Sequence, residues 1–87
     1  MTVFTPRAEY LERIDILFVQ VRDTPIARTR NFGHWRNVDL DADGNVVAVG
    51  FINAVSLGVD LTDIPERDTV ERLIREAEVP LELTIPT

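Results

Sequence analysis

An α+β domain is what this sequence predicts: a small antiparallel β-sheet, a meander of about four strands, packed against one C-terminal helix. Three observations carry that expectation. Asp15 to Val21 is a short apolar run rich in β formers. Two further apolar runs flank Ala42-Asp43-Gly44-Asn45, the composition of a hairpin turn in which Gly44 can take positive φ. Val70, Leu73, Ile74 and Ala77 recur at helical spacing and make one apolar stripe.

The elements follow in chain order. Val3 and Phe4 suit a short strand that Pro6 would stop, and Arg7 to Ile14 carries the charge of a helical turn but is too short to assign. Asp15 to Val21 reads as a strand with Leu17, Val19 and Val21 on one face and Ile16, Phe18 and Gln20 on the other. Arg22-Asp-Thr-Pro25 is a turn, because Pro25 has no N–H to give a ladder. Ile26 to Asn31 sets Ile and Arg against Ala, Thr and Asn, which suits an edge strand. Phe32-Gly33-His34 interrupts it, and Trp35 to Asp41 resumes with Val38 and Leu40 inward.

Val46 to Phe51 is the second arm of the Asp-Gly hairpin. Val46 and Ala48 are expected on one face, with Val47, Val49 and Phe51 on the other. Asn53 to Leu61 is a connector around Gly58 with room for one short extended piece. Pro65 opens a helix reaching about Glu78, with capping-box spacing at Asp63/Glu66 or at Asp68/Glu71, and Pro80 ends it. Leu81 to Ile85 fits either a short final strand or an extended tail. The sheet therefore occupies about 15–52 and the helix about 65–78 of one domain, 1–87.

The same hairpin also imitates a calcium loop. Asp39, Asp41, Asp43 and Gly44 match the first, third, fifth and sixth positions of an EF-hand loop, but Gly50 stands where the bidentate Glu belongs. Val46-Val-Ala-Val49 continues as β pattern, so the segment is read as a hairpin with a solvated acidic side, and no metal or other cofactor is expected.

Composition narrows the function classes. The chain has no cysteine, which removes disulfides, thiolate catalysis and cysteine-ligated zinc. It has no apolar run near the roughly 18 residues that cross a bilayer, and no basic-then-apolar leader at its start, so a cytoplasmic location is expected. The formal charge of −6 argues against general nucleic-acid binding, which needs a basic face. All nine basic residues are Arg, a type suited to bidentate recognition of carboxylates or phosphates.

One helix stripe covers one sheet face only, yet Ile16 and Phe18 lie opposite Leu17, Val19 and Val21. A second apolar face on so short a chain calls for a cover, and a homodimer supplies one. The competing expectation folds the terminal segments over that face.

With these residues placed, the chain resembles a known family. Tyr10 with Asp15-Ile-Leu-Phe-Val, then Ala27-Arg-Thr29, Val38-Asp-Leu-Asp-Ala-Asp-Gly-Asn-Val-Val47, Asn53-Ala54 and Gly58-Val-Asp-Leu61 follow the pattern of domain of unknown function 2283, the YuzE-like family of small prokaryotic proteins. The resemblance covers roughly residues 10 to 64. It implies a small sheet with a helix, no established activity, and an antitoxin-like role toward a protein partner encoded nearby. Ala48-Val-Gly-Phe51 replaces a frequent Gly-Ile-Glu-Ile, Phe18 replaces a Tyr, and Phe32-Gly-His-Trp35 differs from the family's loop.

Catalytic groups are sparse: one His, one Ser, one Tyr, and no Gly-x-Ser-x-Gly turn to expose Ser56. No enzymatic role is expected. The strongest candidate site is partner-binding: Arg28, Arg30, Phe32, His34, Trp35 and Arg36, three Arg, two aromatics and the lone His within nine residues of an acidic protein. Arg28 and Arg30 share a strand face, and Arg and Trp are the types enriched where binding energy concentrates. The competing reading buries Trp35 at a strand start and leaves the Arg residues solvated or ion-paired. Nucleic-acid or anion binding through the same patch is the alternative function.

Overall fold

The computed structural model of the chain describes residues 3–85. Its elements are β1 (Arg7–Leu11), a 3-10 turn (Glu12–Ile14), β2 (Ile16–Gln20), β3 (Arg28–Gly33), β4 (Arg36–Leu40), β5 (Val46–Ile52), α1 (Ala54–Leu57), β6 (Val59–Asp60), α2 (Arg67–Glu76) and β7 (Leu83–Thr84). The α+β class is as the sequence predicts. The main sheet is antiparallel throughout, in the order β1-β2-β5-β4-β3.

That order follows from what each strand can bury. β2 and β5 are the most apolar strands and lie side by side in the middle, with Leu17 opposite Phe51 and Val19 opposite Val49. β3, Arg-Thr-Arg-Asn-Phe-Gly, would lose hydration of two guanidiniums in a central place and sits at the edge instead. β2 and β3 are therefore neighbours in sequence at opposite sides of β5 and β4, while β1–β2 and β3–β4–β5 pair consecutively.

The sheet has one strand more than predicted. Where the sequence offered a helical turn, Arg7 to Leu11 pairs antiparallel with β2. Ala8 and Tyr10 are packed against the core while Arg7 and Glu9 are exposed, a period of two that the local charge concealed. Val3 and Phe4 belong to no regular element.

In β5 the expected alternation fails. Leu40 pairs with Val46 but Asp39 pairs with Ala48, so Val47 is an inserted residue, a β-bulge. The insertion reverses parity: Val46 joins Val49 and Phe51 in the core cluster instead of sharing a face with Ala48. The Val47 carbonyl accepts from the N–H groups of both Val21 (2.8 Å) and Arg22 (3.1 Å), which anchors the bend.

Helix α2 lays Val70, Leu73 and Ile74 on β1 and β2, closing a core with Leu17, Val19, Val38, Val49 and Phe51. It is shorter than predicted at both ends. Glu66 has left-handed φ of 54° and no side-chain capping bond, so neither capping box forms. Its carboxylate instead accepts from Arg22 Nη1 (2.7 Å) and the Val46 N–H (3.3 Å). Glu71 likewise accepts from Arg75 at 2.9 Å. Ala77 caps the other end and Glu78 takes left-handed φ, the usual stop.

The connector 53–61 holds more than expected: α1 and then β6, which pairs in parallel with β7 across α2. Val59 N–H donates to the Glu82 carbonyl (2.7 Å) and Leu61 N–H to that of Thr84 (2.9 Å). Gly58, at φ 80°, permits the approach: a Cβ there would lie 3.2 Å from the Glu82 carbonyl oxygen.

Candidate interaction surfaces

The β3–β4 hairpin carries every candidate site residue, and its turn is tight. Gly33 pairs with Arg36, leaving His34 and Trp35 as a two-residue loop with φ of 50° and 63°. Positive φ at both central residues is what a type I′ turn requires, and Asn-Gly satisfies it at little cost. His and Trp do so under strain, on the order of 1–2 kcal/mol for each non-glycine residue held there.

Arg36 supplies the restraint. It occupies the core-facing position opposite Phe51 and is only 5 % exposed. Its Nε donates to the Gly33 carbonyl (3.1 Å) and Nη2 to that of Phe32 (2.8 Å). Nη1 donates to the carbonyl of Asp60 (3.2 Å) and to that of Thr62. One guanidinium thus ties the hairpin turn to the β6 strand and the loop after it, and carbonyl dipoles compensate its buried charge. Asp60 lies close by. Its carboxyl is held below the usual range, first by the Thr62 hydroxyl and backbone N–H, then by the Arg36 charge. Arg36 is therefore not a partner-facing residue: its strand position points inward, and every bond it makes is internal.

The other five divide by exposure. Trp35 is 58 % exposed, so it is not a core residue, and His34, Arg28 and Arg30 are exposed too, but Arg28 stands at the far end of β3, opposite Leu40, with its guanidinium near Gly44 of the other turn. Phe32 is half-buried, packed against the core with the Arg30 guanidinium 5.4 Å from its ring centroid. The ion pairs among the described residues involve Arg7, Arg22, Arg67, Arg72 and Arg75, so Arg28 and Arg30 keep their charges available. Asn31 Oδ1 accepts from the Gly33 N–H (2.7 Å), further stiffening the approach to the turn.

A second surface is the sheet face away from α2. Across it run three rows: Arg7, Gln20, Ala48 and Asp39; then Glu9, Phe18, Gly50 and Asn37; then Leu11, Ile16 and Ile52. Phe18 is 42 % exposed at its centre, and a Cβ added at Gly50 would meet nothing within 4 Å. Ala48 in the first row is only 2 % exposed, so the open part of the face centres on Phe18; at the described ends of the chain, Val3 is exposed and β7 pairs with β6.

Asp39 and Asp41 of the Asp-Gly hairpin spend their carboxylates on separate tasks, and Asp43 contributes its backbone N–H. Asp39 Oδ1 accepts from the Thr29 hydroxyl at 2.6 Å. Asp41 is 5 % exposed and accepts from Thr24 Oγ1 (3.0 Å) and the N–H groups of Asp43 (3.0 Å) and Asn45 (2.9 Å). The backbone bond from Asn45, then the Thr24 hydroxyl and the Asp43 N–H, hold the Asp41 carboxyl below its ordinary range. Among the described residues no three His, Cys, Asp or Glu converge as metal ligands.

Sequence reasoning missed the most heavily bonded carboxylate. Asp15, at left-handed φ of 53°, accepts from Tyr10 Oη (2.8 Å), Ser56 Oγ (2.6 Å) and the N–H groups of Val55 (2.8 Å) and Ser56 (3.1 Å). The Ser56 hydroxyl first, then the Val55 N–H, hold it well below the usual carboxylate range. A carboxylate so stabilised is a poor proton acceptor, and the lone Ser is committed to it. Tyr10 and Asp15 stood together in the sequence pattern, but Ser56, 41 residues on, left no local signal.

No helix among the described residues is long and apolar enough to cross a membrane. No family model, no curated protein and no solved structure matches the chain.

Proposed function

We propose that this chain is a small, non-enzymatic interaction protein of the cytoplasm, YuzE-like by its motifs, that docks a protein partner encoded nearby in an antitoxin-like manner. The contact is the β3–β4 hairpin, through Arg28, Arg30, His34 and Trp35, with Phe32 beneath them. The observation that supports this is Trp35: a large aromatic, 58 % exposed, on a strained turn made rigid by a buried arginine. A rigid exposed Trp at the tip of a hairpin whose outer strand carries two guanidiniums outside any ion pair has the composition of a binding hot spot. The partner surface it fits is acidic around an apolar pocket.

The test is capture of the partner by the tagged protein from its own cell lysate, repeated with Trp35→Ala and with Arg28→Ala/Arg30→Ala. One stoichiometric protein, lost in both variants while their melting temperatures stay near the parent's, is the expected result. Capture that survives both variants would sink the hairpin as the contact. The alternative, nucleic acid or another anion on the same hairpin, draws support from two guanidiniums outside any ion pair on the strand that leads to an exposed indole, but the net charge of −6 opposes it. It predicts affinity that falls steeply with salt.

A further inference from the structure

We infer that the open sheet face is the contact between two copies of this chain, related by a two-fold axis parallel to the strands and running between β2 and β5. The inference rests on the reading of the chain as an interaction protein, and it concerns the sheet face away from α2 rather than the hairpin turn and the β3 arginines.

The registers choose the axis. A two-fold placed there exchanges β1 with β4 and β2 with β5 of the second copy, keeping each cross-sheet row opposite itself. Arg7 then faces Asp39 of the second copy, Glu9 faces the Asn37 amide, and Phe18 lies over Gly50. Charge meets opposite charge, a carboxylate meets an amide donor, and a protruding ring meets the open space above a glycine. Because the contact is isologous, each match occurs twice. A two-fold perpendicular to the strands would instead set Arg7 on Leu11, charge against hydrocarbon.

The groups are free to make these contacts. Asp39 spends one oxygen on Thr29, leaving the other for Arg7. The Arg7–Glu9 pair within one copy is 3.4 Å long and well exposed, so giving it up costs little. Four strands about 4.8 Å apart, each about five residues long, present roughly 320 Å² per copy and roughly 640 Å² for the two faces, a small contact that suits a weak, reversible dimer.

The experiment is sedimentation velocity of the full chain across the micromolar range. Arg7→Asp and Asp39→Arg should each weaken the dimer about tenfold, since each removes two symmetry-related ion pairs. The double variant R7D/D39R should return to within about threefold of the parent, and Phe18→Glu should give monomer. All these positions are solvent-facing, and circular dichroism melts verify folding. A parent that stays monomeric at hundreds of micromolar would overturn the inference, as would a dimer indifferent to Arg7→Asp or a double variant that does not recover. Lysate capture by the parent chain, set beside its sedimentation, separates the two readings. A monomer that still holds its partner defeats only the dimer, and a dimer that captures nothing defeats only the hairpin.

Discussion

The Arg36 guanidinium donates to the Phe32 carbonyl at 2.8 Å, so the first residue of β4 secures the end of the strand that precedes it. Its other bonds reach Gly33, Asp60 and Thr62, which makes one side chain the fastener between the hairpin turn and the far loop.

Arg36→Ala should therefore destabilise the protein by about 2–4 kcal/mol, since it leaves buried carbonyls without donors and opens a void. That corresponds to a fall of roughly 10–20 °C in melting temperature for a chain of this length. Arg36→Lys should recover little, because an ammonium cannot span the carbonyls that a planar fork reaches. Thermal denaturation of both variants checks this, and a Lys variant as stable as the parent would refute the geometric part.

The turn itself should trade stability against binding. Replacing His34-Trp35 by Asn-Gly gives the type I′ loop residues that accept positive φ. Melting temperature should rise by about 5 °C while partner capture is lost. A fall in melting temperature would mean that Trp35 contributes packing that outweighs its backbone strain.

Acid should expose the role of Asp15. Its folded-state pKa is depressed, so its contribution is complete above the unfolded value near 4 and is lost as pH falls through the folded one. Asp41 and Asp60 act in the same direction. Melting temperature should hold steady from neutral pH down to about 5 and then fall as the solution is made more acid. Asp15→Asn should be less stable at neutral pH, with a shallower fall below pH 4 or so. Parallel curves for parent and variant would show that the network carries no pH dependence.

Gly58→Ala should cost about 1–3 kcal/mol because φ 80° with ψ 172° is a conformation essentially confined to glycine, with a further penalty from the Glu82 carbonyl oxygen only 3.2 Å from the new methyl. The loss should be local. Amide exchange should accelerate at Val59 and Leu61, whose N–H groups bond the β7 segment, and stay slow at Val49.

What the sequence revealed tracks how locally each feature is determined. The strand around Leu17, the Asp-Gly hairpin and the stripe of Val70, Leu73 and Ile74 each rest on residues a few positions apart, and all three are present. β1 was obscured because Arg7, Glu9 and Glu12 mimic a charged helix surface, and only pairing with β2 decides its conformation. The bulge at Val47 depends on bonds from Val21 and Arg22, more than 20 residues away, so no periodicity could announce it. Among the candidate residues, Trp35 and the two edge Arg could be located but not their exposure. Arg36 misled for a definite reason: an inward arginine becomes tolerable only when carbonyls from Asp60 and Thr62 arrive from a distant loop.

The position of β3 at the rim of the sheet also limits how the protein behaves when crowded. An unpaired strand edge invites another strand, and repeated pairing of that kind builds fibres. Two molecules approaching β3 to β3 would bring Arg28 and Arg30 against their own copies, and like charges across a ladder repel. The arginines of the proposed docking site thus also guard it, leaving that edge open to a partner carrying opposite charge and closed to the same edge of a second copy.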